Sequence, residues 1–177
     1  MKKIIILIVF CILLASFVSA NTKNSGPSLQ ITLKVIQNAL LDKDMVTLNR
    51  HIAFQSIVES KLKKYSKVAK KNKSFGNKVL GNAMSLGQPM FGGIATNFIL
   101  KEYAKSPRSL RQYYYNSLKI NSIKEKGNNA VARVSFMGSP GLIYCTNTNN
   151  TWMITNVESP VIDQEFQNLM KIISRKK

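Results

Sequence analysis

His51 is the only histidine in the chain, and Cys145 is the only cysteine outside the apolar run that opens it. One histidine cannot build a multi-histidine metal site. Any Ser-His-Asp or Cys-His device would have to use His51, which falls at a helix junction with no nucleophile motif beside it. A structural histidine is the expectation. Cys145 lies in the strand-like apolar stretch Leu142-Ile143-Tyr144-Cys145-Thr146 and reads as a buried, inert thiol. The carboxylates are Asp42, Asp44, Glu59, Glu102, Glu125, Glu158, Asp163 and Glu165. Asp42 and Asp44 suit a turn and a helix cap. Asp163 and Glu165 suit the first turn of a helix, where negative charge opposes the helix dipole. The glycines between 76 and 93 lack the order of a phosphate-cradling loop. These residues predict no catalytic site, no cofactor and no metal centre.

Charge is the stronger signal. The 177 residues hold 26 lysines and arginines against 8 acids, a net charge of +18. With 45% hydrophobic residues the chain can still build a core, so the charge does not argue for disorder. The basic residues concentrate in Lys61, Lys63, Lys64, Lys67, Lys70 and Lys71, with Lys73 and Lys78 just beyond and no acid from 60 to 78. On a helix, Lys63, Lys67, Lys70 and Lys71 share one side, so their fields add over a polyanion. The six from Lys61 to Lys71 are the candidate contacts with anionic lipid or another envelope polyanion, at about 1 kcal/mol each. The rival reading is a solvated face that only confers solubility. Nucleic acid would attract the same lysines, and Arg108 and Arg111 beside Tyr113-Tyr114-Tyr115 set aromatics next to charge. The opening segment argues against that partner.

Residues 1–20 have the three parts of a secretory signal: Lys2 and Lys3, an apolar run from Ile4 to Ala15, and the small residues of Val18-Ser19-Ala20. Cleavage there predicts an exported chain, periplasmic or secreted, with 24 basic residues against 8 acids, a net of +16. The rival reading is an uncleaved anchor over Ile4–Val18, short of the roughly 20 apolar residues a spanning helix wants. Residues 21–28 read as a flexible linker, and 29–177 as one domain.

The elements follow from periodicity. Ser28 is the expected cap of a helix over 29–41, whose Leu29, Leu33, Ile36 and Leu40 share a face. Asp44 caps a short second helix over 45–51. A third runs over 54–71 with the apolar stripe Phe54, Ile57, Val58, Leu62, Tyr65, Val68 and Ala69. Residues 79–100 carry no charge, and their glycines and Pro89 predict two short buried helices around a break at Gly87-Gln88-Pro89. Ser106-Pro107 starts another helix. The period then changes to two, predicting strands at 117–125, 130–137, 141–147 and 151–158, and a closing helix over 161–174. Short turns make the sheet an antiparallel meander. The expectation is an α+β domain: helices, a four-stranded sheet, and a C-terminal helix.

Residues 36–65 resemble a bacterial family catalogued as domain of unknown function 2939, through Ala39, Asp44 and Leu48, then Ile52-Ala53-Phe54-Gln55, then Ser60-Lys61-Leu62-Lys63. Ala53 and Gln55 stand where that family shows Asp and Pro. The second half, with Thr151-Trp152-Met153-Ile154-Thr155-Asn156-Val157-Glu158-Ser159-Pro160 leading into a helix, is similar to the end of nuclear-transport-factor-like cone folds. The resemblance implies an exported or membrane-anchored domain and no activity. Together these readings predict a non-enzymatic binding domain, with a lipid or other apolar ligand held between sheet and helices. Its expected walls are Leu80, Met84, Leu86, Met90, Phe91, Phe98, Val134, Phe136, Ile143, Trp152 and Ile154. The other reading is a structural or protein-interaction module of the envelope whose core is filled.

Overall fold

The computed structural model describes residues 28–71 and 88–174 and, within them, the side chains outside 68–71, 88–91 and 169–174. The leader, most of the linker, and Leu80, Met84, Leu86, Lys73 and Lys78 lie outside the described residues. Helix α1 (Leu29–Asp42) is capped by Ser28, whose Oγ accepts from the Ile31 N–H at 3.3 Å. It ends at Lys43, held at φ 60°, the left-handed geometry of a helix stop. Asp44 starts α2 (Met45–His51), accepting from the Thr47 backbone N–H at 3.1 Å and from its hydroxyl at 2.6 Å. Helices α3 (Phe54–Lys71), α4 (Gln88–Ala104) and α5 (Arg108–Ser117) follow. Strands β1 (Leu118–Lys126), β2 (Asn129–Phe136), β3 (Ser139–Thr148) and β4 (Thr151–Glu158) come next, then α6 (Pro160–Ser174).

The sheet is an antiparallel meander in the order β1-β2-β3-β4. Alternation along β2 puts Ala130, Ala132, Val134 and Phe136 in the core. Their partners across β1 are Leu118, Ile120 and Ile123, and a register shift between Ile120 and Ser122 keeps all three on that face. Ile143 and Cys145 of β3 and Trp152, Ile154 and Val157 of β4 complete the layer. Helix α3 lies against α4 and β4, and α6 against α3 and β3. The junction of α2 and α3 runs along the edge of β4, where the Ala53 N–H donates to the Ile154 carbonyl at 2.9 Å. This is the α+β architecture expected from the change of period.

The expected break at Gly87-Gln88-Pro89 falls at the start of α4, which runs from Gln88 for 17 residues, past Gly92 and Gly93, longer than the short helix expected after it. Pro89 sits in its first turn, where a missing N–H costs nothing. Gly92 has a packing reason: a Cβ there would lie 2.6 Å from the Glu59 Cγ of α3. The preceding residues, where the other short helix was expected, lie outside the described residues.

Candidate functional site

Helix α3 presents two faces. Phe54, Ile57, Val58, Leu62 and Tyr65 are buried, and Lys61 is buried among them at 4% exposure. Its position, four residues after Ile57 and four before Tyr65, places it on the core stripe. Lys61 is therefore corrected from a surface contact to an internal ion. Its Nζ lies 2.7 Å from Asp163 Oδ1 of α6, while Lys64, 61% exposed, reaches Oδ2 of the same carboxylate at 2.5 Å. Burial raises the Asp163 pKa, but the hydrogen bonds and charges of Lys61 and Lys64 prevail and hold it below the usual aspartate value.

Lys63 and Lys67 are exposed on the opposite side of α3, and no carboxylate lies within ion-pair distance of either among the described residues. The acids are engaged elsewhere. Asp42 meets Arg108 at 3.2 Å, Glu102 meets Lys105 at 2.6 Å, Asp44 caps α2, and Glu158 accepts from the Tyr144 hydroxyl at 3.1 Å. Lys70 and Lys71 extend α3, their side chains outside the described set.

Beside Lys64 opens a groove of about 890 Å³ that crosses the sheet near the ends of β2 and β4. Lys64 and Asp163 form one bank, Asn121, Ser122 and Arg133 the other, with Val134, Pro140, Gly141, Leu142, Glu158, Ser159 and Pro160 between them. Gly141 is fixed by close packing, because a Cβ there would approach the Glu158 carbonyl oxygen to 2.9 Å. Arg133 is exposed and free of ion pairs among the described residues, as are Lys119, Lys124 and Lys126 of β1. Lys64 and Arg133 both line the groove, and Lys63 and Lys67 are exposed on the same helix as Lys64.

Sequence reasoning missed this groove, whose lining is drawn from positions as distant in the chain as Lys64 and Asp163. The available signal was the alternation of β2, which turns Arg133 away from the core. The residues expected to wall an apolar pocket are placed differently. Val134, Phe136, Ile143, Trp152 and Ile154 are buried in one continuous cluster with the helices, and Phe98 packs half-buried against it. Val134 alone among these six touches the groove. Met90 and Phe91 lie in the first turn of α4, their side chains outside the described set.

The groups with chemical potential are in structural use. His51 Nδ1 is 2.9 Å from the Trp152 carbonyl oxygen, tying α2 to β4. Cys145 is buried, and desolvation, with the nearby Glu125 charge, pushes its pKa up to about 12, so it stays a thiol. Arg111 is buried, donating to the carbonyls of Leu41 at 2.7 Å and Ser106 at 2.5 Å, where it and the Tyr103 hydroxyl close the end of α1. Tyr114 packs in the core, and Tyr115 accepts from Lys34 Nζ at 2.8 Å. Among the described residues no three His, Cys, Asp or Glu side chains are grouped to hold a metal, and no helix is long and apolar enough to cross a membrane.

No family model, no curated protein and no solved structure matches this chain.

Proposed function

We propose that this is an exported, non-enzymatic binding domain that holds to an anionic surface of the cell envelope, with anionic phospholipid as its ligand. The observation that carries the reading is the set of exposed cations without a carboxylate partner among the described residues, Lys63 and Lys67 of α3 and Arg133 beside the groove. Each such side chain near an anionic leaflet contributes about 1 kcal/mol, enough in sum for reversible attachment. The packed interior favours surface contact over enclosure of an apolar ligand, because the expected sheet walls are occupied by their neighbours. Export rests on the three-part leader of residues 1–20.

Sedimentation with vesicles tests the binding. Phosphatidylglycerol vesicles should carry the protein down at low salt and release it as salt rises, and phosphatidylcholine vesicles should leave it in solution. Attachment that ignored salt or lipid charge would overturn the reading and favour a protein-interaction module of the envelope. The mass of the exported chain tests the leader: a start at Asn21 is expected, and a retained Met1 would make it an anchor.

A further inference from the structure

Two of the hairpin turns share a backbone but not a chemistry. The β3–β4 turn holds Asn149 and Asn150 at φ 52° and 59°, the left-handed geometry that asparagine tolerates. The β2–β3 turn holds Met137 and Gly138 at φ 50° and 80°. Glycine suits its place; methionine does not, because its Cβ crowds the following carbonyl in this region. The Met137 side chain is not buried in return, remaining 46% exposed. An apolar residue has been placed in solvent, in a strained turn, where this chain elsewhere uses asparagine.

Met137 has a companion. Its N–H donates to the Ser117 carbonyl at 3.1 Å, and the Ser117 hydroxyl donates to the Tyr113 carbonyl at 2.7 Å. Tyr113, 54% exposed, therefore stands one helical turn from the same point. The tip is firmly supported, with Tyr114 beneath it packed on Phe136 at 6.0 Å between ring centroids. No acid occurs in α5, nor in Leu118–Asn121 or Val134–Gly141, whereas Lys119 is exposed beside the turn. Pro140, three residues past Met137, already lines the groove that ends the basic face.

We infer that Met137 and Tyr113 form an apolar tip that enters the headgroup region of an anionic bilayer while the neighbouring basic face holds to its surface. This rests on the anionic-surface reading above. Tyrosine favours the membrane–water interface because its ring is apolar and its hydroxyl polar, and a flexible methionine loses water contact there at little cost. The acid-free, lysine-bearing surroundings favour an anionic leaflet over an uncharged partner.

The test is flotation of the exported chain with phosphatidylglycerol-containing vesicles, alongside thermal melts. Met137→Asn suits the left-handed turn, so its melting temperature should stay level or rise. Its vesicle partition should fall about fivefold, the effect of no longer burying half a methionine side chain, with an unchanged salt dependence. Tyr113→Ser should weaken partition similarly, and Lys63→Gln/Lys67→Gln should instead flatten the salt dependence. If Met137→Asn and Tyr113→Ser float like wild type while the lysine variant does not, the tip is overturned and surface attachment stands. If wild type itself does not float, both readings fall.

Discussion

Replacing Asp163 by asparagine should be strongly destabilising. Lys61 is 4% exposed, and its ammonium meets one carboxylate, that of Asp163, itself 18% exposed. Removing one partner of such a buried pair leaves an ion in a medium that solvates it poorly, at about 3–5 kcal/mol. Because Asp163 is partly wet and the Lys61 stem can shift toward solvent, the lower end applies: about 3 kcal/mol for D163N. Lys64 reaches the same carboxylate from a 61% exposed position, so K64M should cost under about 1 kcal/mol. The double variant K61M/D163N should return to within about 1 kcal/mol of wild type, since a neutral pair replaces the ionic one and no buried charge is left without its partner. Urea unfolding of wild type, D163N, K64M, K61M and K61M/D163N measures this, with the slope m as a check that the transition stays two-state. A D163N cost below about 1 kcal/mol, or single costs that simply add in the double variant, would mean that Lys61 and Asp163 are not a coupled buried pair. The pH dependence has a fixed sign. Asp163 has a lowered pKa in the folded protein, so its contribution is complete above the ordinary carboxylate value and is lost as pH falls through the folded one. The gap between wild type and D163N should stay level from about pH 7 to 5 and close below about pH 4.

Cys145 should resist alkylation in the folded protein even at mildly alkaline pH and react at once in denaturant, because burial keeps it protonated; rapid native labelling would contradict its placement. Gly92→Ala should couple to Glu59. The new methyl meets Glu59 Cγ in wild type and costs about 1 kcal/mol, but in a Glu59→Ala background it should stabilise by up to about 1 kcal/mol through helix propensity, and thermal melts that showed additivity would sink the close-packing account. Asn149→Ala should lose about 1 kcal/mol through its φ of 52°, whereas Asn149→Gly should be near neutral; equal effects in urea unfolding would argue against a left-handed turn.

Much of the fold was legible because local rules and tertiary contacts agree. The caps Ser28 and Asp44, the third helix ending at Lys71, and the fourth strand from Thr151 to Glu158 stand where periodicity and capping put them. The start of α4 was legible at Gln88-Pro89 but its length was not, since the reason for Gly92 within it is a close contact with Glu59 on another helix. Lys61 misled for a related reason. Its charge suggested solvent, yet its spacing from Ile57 and Tyr65 put it on the core stripe, and its partner lies 102 residues away. The lysines beyond it were read correctly as outward at Lys63, Lys64 and Lys67. The groove was invisible because an α3 lysine, a β2 arginine and the start of α6 come together only after the sheet has formed. The expected apolar walls illustrate the limit of composition: the same residue types line a pocket or fill a core, and only packing decides.

The central claim is that a particular face, and not the net charge of +18, carries attachment. The most direct measurement compares phosphatidylglycerol-vesicle binding of a Lys63→Gln/Lys67→Gln/Arg133→Gln variant with that of Lys105→Gln/Arg108→Gln, whose parent side chains are paired to Glu102 and Asp42. The first should bind roughly a hundredfold more weakly, about 1 kcal/mol for each of three side chains, with a shallower salt dependence. The second should stay within about twofold of wild type, its charges being already engaged. Equal losses per charge in both variants, or wild-type binding by the first, would contradict the account.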